Sequence, residues 1–108
     1  MNQRAYQIVF MTASNMDEAE GIAENLVEKR LAACVNLVPS CRSVYRWKGE
    51  LVKDDEVMMF AKTSSENFAA IVEAVTKIHS YDVPEIIAAD LSSLSDGYRA
   101  FLQEVLEE

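Results

Sequence analysis

The sequence has little of several features that define whole classes of protein. Its 108 residues contain only two cysteines, two prolines, three glycines and one histidine. Cys34 and Cys41 match neither the cysteine framework of a small secreted domain nor a C-x-x-C metal loop, so we interpret both as reduced thiols. A chain of this length can bury a core without disulfides or a structural metal.

Basic residues and long apolar runs are also scarce. The sequence contains ten lysines and arginines and 18 aspartates and glutamates, which gives a formal net charge of −8. This charge repels phosphate backbones, so we expect no nucleic-acid partner. No apolar run reaches the roughly 18 residues of a membrane-spanning helix, and the first residues do not resemble a secretory signal. We therefore expect a single domain over residues 1–108, located in the cytoplasm, with no membrane partner.

Hydrophobic periodicity predicts the first elements. A β-rich run covers residues 4–13, and an amphipathic helix follows to about residue 30, with Ser14 and Asp17 as its capping pair. A second β run covers residues 31–39, where Pro39 predicts a bend because proline cannot donate to a strand ladder.

Residues 42–62 alternate between polar and apolar side chains around a glycine turn, which predicts a long β-hairpin. A second helix is expected to begin at Ser64 or Ser65, a last strand follows near residues 85–91, and Ser95 opens a final helix. The order β-α-β-β-α-β with an extra C-terminal helix predicts an α+β, ferredoxin-like domain with one antiparallel sheet.

This fold alone predicts no function, because it serves many unrelated activities. A metal chaperone would need two adjacent thiolates, and an RNA-binding module would need basic residues around exposed aromatics. An acyl-phosphate hydrolase would need a glycine-rich anion site after the first strand, where this chain has the acidic segment MTASNMDEAE. The residues present exclude all three.

Four segments together resemble the signature segments of the CutA family. They are EKRLAACVNLVP, SVYRWKGEL, FAKT and HSYDVPEI, and the resemblance covers roughly residues 6–102. Two positions depart from the family pattern. Ser80 stands where the family usually has proline, and Glu104 stands where it often has tryptophan.

The resemblance implies a cytoplasmic homotrimer whose long hairpins pair with neighbouring subunits, similar in architecture to PII-type signalling proteins. It implies a role in tolerance of divalent cations, copper especially, without an established reaction or an obligatory cofactor. Acid–base chemistry by Lys62, His79 and Glu85 is a weaker alternative. No nucleophile with an adjacent base is evident in the sequence, so we expect a protein that is not an enzyme.

The candidate site residues lie within these segments. We expect a ligand cleft between subunits, formed by Tyr45, Trp47, Lys62, His79, Tyr81 and Glu85. The candidate metal ligands are His79, Glu56 and Cys34, with Cys41 as a second thiol. Each residue also has a purely structural interpretation: His79 can end a helix, Cys34 can be a packed thiol, and the aromatic side chains can fill a subunit contact.

Two functional hypotheses follow. In the first, the protein is a trimer that binds divalent cations weakly, prefers copper over zinc, and releases the metal as acid protonates His79. In the second, it is a PII-like regulatory trimer that binds a small molecule in its inter-subunit clefts and signals to an unidentified protein partner. The two hypotheses differ in the ligand that should stabilise the folded protein.

Overall fold

The structure is a computed structural model that describes residues 5–108. It has four strands and three α-helices, which are β1 (Tyr6–Ala13), α1 (Met16–Glu28), β2 (Cys34–Trp47), β3 (Glu50–Ser64), α2 (Phe68–Ile78), β4 (Ile86–Asp90) and α3 (Asp96–Leu106). The predicted α+β class and element order are confirmed. The predicted start of the first strand at Arg4 lies outside the described residues.

The strands form one sheet in the order β2-β3-β1-β4, and every neighbouring pair is antiparallel. β1 lies at the centre, where Val9 pairs with Ala61 of β3 and with Ala88 of β4. Within residues 5–108 no helix is both long and apolar enough to cross a membrane.

The hairpin is longer than predicted, because the β run before Pro39 and the alternating run after it form one strand. β2 pairs with β3 from Cys34 to Trp47, with a register shift between Val38 and Cys41. Ser40 has a positive φ of 66°, and this bulge accommodates the residue that cannot donate to the ladder. Pro39 therefore lies in a bulge inside a continuous strand.

The outer half of the hairpin extends beyond the sheet. β3 pairs with β1 only from Val57 to Ser64, so residues 41–56 form a two-stranded ribbon, here called the hairpin arm. Its tip is a two-residue turn in which Lys48 and Gly49 have φ values of 49° and 83°, the signs that a type I′ turn requires. The molecule is accordingly 50 Å long and about half as wide.

One face of the sheet carries the main core. Strand alternation places Val9, Met11, Met59 and Ala61 on this face, where they pack against apolar residues of α1 and α2: Ala19, Ile22, Leu26, Ile71, Ala74 and Val75. A smaller cluster of Tyr6, Ala33 and Leu102 anchors α3.

The opposite face remains partly open. The alternate residues of β1 and β3 on that face, Ile8, Phe10, Met58 and Phe60, are only half-buried. Val38 and Ile87 pair with Met58 and Phe10 and are 46% and 56% exposed. Exposed apolar surface of this kind is typical of interaction sites.

Helix starts differ in detail from the predictions. The cap of α1 is Asn15 rather than Ser14, because the Asn15 side chain accepts from the Glu18 backbone N–H at 2.8 Å while the Glu18 carboxylate accepts from Ser14. A short 3₁₀ turn at Ser65–Asn67 precedes α2, and no side chain caps that helix. Ser95 caps α3, as predicted.

Candidate functional site

A groove of about 620 Å³ opens between the hairpin arm and the loop that follows α2. Four of the six residues predicted for a ligand cleft line it, namely Tyr45, Trp47, Tyr81 and Glu85. Glu56, predicted as an acidic metal ligand, lines it as well. The fold therefore brings together residues that are up to 40 positions apart in the sequence.

Five lining residues were not predicted: Thr12, Ser43, Val44, Asp82 and Val83. Four of them lie within two positions of a predicted residue in the segments SVYRWKGEL and HSYDVPEI. Thr12 could not be predicted from the sequence. It is brought to the groove by the pairing of β1 with β3, where it lies opposite Met58.

Glu56 lies deep in the groove and is only 7% exposed. The Tyr81 hydroxyl donates a hydrogen bond of 2.7 Å to its Oε2 atom. Burial, together with this bond and the charge of Glu56, raises the pKa of Tyr81 above its ordinary value, so the phenol remains protonated and remains a donor. In the part of the chain that the structure describes, no basic side chain forms an ion pair with Glu56.

The wall of the groove on the hairpin arm has a similar pairing. The Tyr45 hydroxyl donates a hydrogen bond to the Asp54 carboxylate, and this bond raises the pKa of Tyr45. Asp54 and Glu56 are two residues apart on β3, so both carboxylates lie on the same side of the arm as Tyr45. Two phenols of the groove therefore each donate a hydrogen bond to a carboxylate of β3, Tyr81 to Glu56 and Tyr45 to Asp54.

His79 lies behind the groove and is not part of its surface. It ends α2, its side chain is 1% exposed, and its ring contacts that of Tyr81 at 4.7 Å between centroids. The Tyr81 N–H donates to Nδ1 at 3.0 Å, and Nε2 lies 2.8 Å from the Thr12 carbonyl. Because a carbonyl only accepts, Nε2 carries the proton, and both ring nitrogens of a neutral imidazole are occupied.

Glu18 supports the same loop from α1. Its carboxylate accepts from the backbone N–H groups of Ser14 and Ser80 at 2.9 and 2.7 Å. Burial alone would raise the pKa of Glu18, but the hydrogen bonds from Ser14 and Ser80 lower it to about 2. The ionised carboxylate therefore joins the first turn of α1 to the loop that carries Tyr81.

Glu18→Gln is expected to lower the free energy of unfolding at pH 7 by about 1–2 kcal/mol, because it weakens hydrogen bonds to a charged group. The contribution of Glu18 is present above its ordinary pKa of 4.5 and is lost as the pH falls towards 2. The variant should therefore lose less stability than the wild type over this range.

Urea unfolding at pH 7 and pH 3, at one protein concentration, measures both effects. Glu20→Gln, at an exposed position of the same helix, is the matched control and should leave stability unchanged. Equal acid sensitivity of wild type and Glu18→Gln would show that this carboxylate does not anchor the loop.

Cys34 and Lys62 form a separate cluster. The Lys62 ammonium lies 4.0 Å from the Cys34 thiol and donates a hydrogen bond to the Asn36 side chain. The cluster also contacts Tyr98 of α3, whose pKa is raised by burial and by the neighbouring Cys34. Lys62 is six residues from Glu56 on β3, which is about 20 Å at ~3.3 Å per residue.

The three candidate metal ligands therefore do not form one site within a single chain. His79 is occupied, and Cys34 is distant from Glu56. Among residues 5–108, no group of three or more histidine, cysteine, aspartate or glutamate side chains is arranged to hold a metal ion. Cys41 pairs with Glu56 across the hairpin arm and is a free, half-buried thiol.

Comparison with known proteins gives a consistent result. A family model described as "CutA1 divalent ion tolerance protein" matches residues 7–105. The divalent-cation tolerance protein CutA of Thermus thermophilus is 42% identical over 98 residues, which cover 91% of this chain and 95% of that protein. Protein CutA of Mus musculus is 43% identical over 98 residues, but the chain spans only 55% of its length.

A solved structure agrees with these sequence matches. The periplasmic divalent cation tolerance protein CutA from Archaeoglobus fulgidus superposes with a TM-score of 0.91 at 36% identity. The superposition covers 94% of this chain and 98% of the other. The similarity therefore includes the hairpin arm as well as the sheet and helices.

Proposed function

The chain belongs to the CutA1 divalent ion tolerance family, and on that basis we propose that it is a homotrimer that contributes to divalent-cation tolerance by binding rather than by catalysis. The observation that supports this proposal best is the partly open apolar face of the sheet, next to an arm that extends beyond it. A trimer would cover both features. In a closed ring of identical contacts, one surface of each subunit packs against a different surface of its neighbour.

The apolar side chains of the arm support the same assembly. Val44, Trp47 and Leu51 are 59%, 47% and 65% exposed, and an isolated two-stranded ribbon has little stability of its own. β2 is also an edge strand of 14 residues, whose outer backbone groups can pair with a neighbouring chain.

Cation binding is proposed as weak and exposed. The net charge of −8 and the groove carboxylates attract cations, and copper should bind more tightly than zinc to such unspecialised ligands. The carboxylates in the groove, rather than the occupied His79, are the proposed ligands, and any tighter site requires groups from two subunits. No obligatory cofactor is proposed.

A non-catalytic role fits the chemistry of the groove. Its lining includes neither a thiol nor an imidazole nor an ammonium group within the described residues, so no activated nucleophile faces it. We also propose a cytoplasmic location, which fractionation of the native host would test.

A second candidate function is a PII-like regulatory trimer that binds a small molecule. The observation that favours it is the groove itself, because its volume and aromatic walls suit a small ligand. Lys62, predicted for the same cleft, is not part of the groove lining, because its ammonium group contacts Cys34 and Asn36.

Light scattering on the purified protein should give about three times the chain mass of 12.1 kDa. A thermal-shift screen at fixed protein concentration should then show a higher midpoint with Cu(II) than with Zn(II), since a ligand of the folded state raises its stability. A stable monomer at micromolar concentration would refute the trimer. A shift with small organic molecules and none with metal ions would favour the second function.

A further inference from the structure

The two sides of the hairpin arm carry opposite charges. Cross-strand partners share a side, and the pairs Ser43 with Asp54, Trp47 with Glu50, and Cys41 with Glu56 put carboxylates beside the aromatic residues. The alternate positions of the same strands carry Arg42, Arg46 and Lys53, and their one carboxylate, Asp55, is paired with Arg42 at 3.0 Å. Strand alternation therefore places Arg42, Arg46 and Lys53 on the other side of the arm, whereas Lys48 at the tip lies over the Trp47 ring, 5.8 Å from its centroid.

The groove lining continues this pattern beyond the arm. It contains three carboxylates, Glu56, Asp82 and Glu85, and three aromatic rings, Tyr45, Trp47 and Tyr81. No lysine, arginine or histidine is part of the lining. Within residues 5–108, the only hydrogen bond to the side chain of the buried Glu56 comes from a neutral phenol. A buried carboxylate without a cationic partner favours the entry of a cation.

The kind of cation follows from the spacing of these groups. A compact metal ion needs several ligand atoms around one point for tight binding, and the described residues contain no such group of three, so the groove of a single chain would hold a metal ion only weakly. A phosphate or other anion would be repelled by all three carboxylates. A neutral molecule would leave the charge of Glu56 without compensation. An organic ammonium ion spreads its charge over a larger surface and interacts well with aromatic faces.

We propose that the groove binds an organic cation, with its ammonium group near Glu56 and Glu85 and its apolar part against the rings of Tyr45 and Tyr81. This proposal names the ligand class of the groove and rests on the small-molecule role given above as the second candidate function. It differs from metal tolerance in that no metal ion is needed for binding.

Choline is a suitable probe for an organic cation. Its neutral analogue 3,3-dimethylbutan-1-ol has nearly the same shape and serves as the uncharged control. Calorimetry at constant ionic strength, with a chelator present, should show that choline binds at least about tenfold more tightly than the neutral analogue. Benzenesulfonate serves as the anionic probe and should not bind.

Variants of the groove locate the binding. Glu85→Gln should weaken choline binding about five- to tenfold, whereas Asp55→Asn on the basic side of the arm should not change it. Tyr45→Phe should retain binding because the ring remains, and Tyr45→Leu should reduce it.

The possible failures are distinguishable. Equal binding of choline and its neutral analogue, or binding of benzenesulfonate alone, would overturn the cation proposal and leave the groove as a small-molecule site. If none of the three probes binds at millimolar concentration to a protein that is trimeric and folded, both the cation proposal and the small-molecule function are overturned.

Discussion

Trp47→Ala is expected to convert the proposed trimer largely into monomers at micromolar concentration. Trp47 is 47% exposed near the tip of the hairpin arm, where the single chain offers little to cover it. Truncation of an aromatic anchor in a subunit contact typically costs about 2–4 kcal/mol, and a closed trimer contains three such contacts. No other single substitution in the arm should weaken assembly as much.

Light scattering over a concentration series measures the effect. Trp47→Phe should retain most of the assembly because an aromatic ring remains, and Lys53→Ala should leave the mass unchanged. Circular dichroism on the same samples shows whether the isolated chain keeps its sheet. A fully trimeric Trp47→Ala protein would show that the arm is not the main subunit contact.

The hairpin arm illustrates how far the sequence could predict the fold. The alternating pattern and Gly49 predicted two strands and their turn, and the structure confirms both. The length was underestimated because a proline in a β run normally ends a strand. Here the bulge between Val38 and Cys41 removes the need for a donor at Pro39, and no local pattern reveals such a bulge.

The groove was partly predictable for a similar reason. Tyr45, Trp47, Tyr81 and Glu85 lie in two short segments of mixed aromatic and acidic character, and those segments meet in space. The exclusion of basic residues from the groove depends on strand register, which a shift of one residue would reverse. The sequence could therefore suggest the residues of the site, but it could not predict that the site would be negatively charged.

The environment of His79 could not be predicted at all. Its ring bonds the carbonyl of Thr12, which is 67 positions earlier in the chain. The position at the end of α2 was predicted from helical spacing and is confirmed. Metal binding was the alternative hypothesis from sequence, because an imidazole with a free nitrogen is a good ligand. The two hydrogen bonds argue against it, since no ring nitrogen is free.

His79→Ala is expected to lower the free energy of unfolding by about 2–4 kcal/mol, because it leaves the Thr12 carbonyl and the Tyr81 N–H without partners. Urea unfolding measures this loss. His79→Gln offers both an amide donor and a carbonyl acceptor at the same position and should recover part of the stability.

Copper binding by the same variants separates the two roles of the histidine. Cu(II) affinity, measured by calorimetry on the folded His79→Gln trimer, should remain within about twofold of the wild type, because a metal could use this ring only by breaking one of its buried hydrogen bonds. Glu85→Gln, by contrast, should weaken Cu(II) binding, since a groove carboxylate is a proposed ligand. A large loss of Cu(II) affinity in His79→Gln, with fold and trimer intact, would mean that the ring leaves Thr12 or Tyr81 to bind metal. In that case the groove and the metal site would be coupled through Tyr81, whose hydroxyl bonds Glu56 and whose N–H bonds His79.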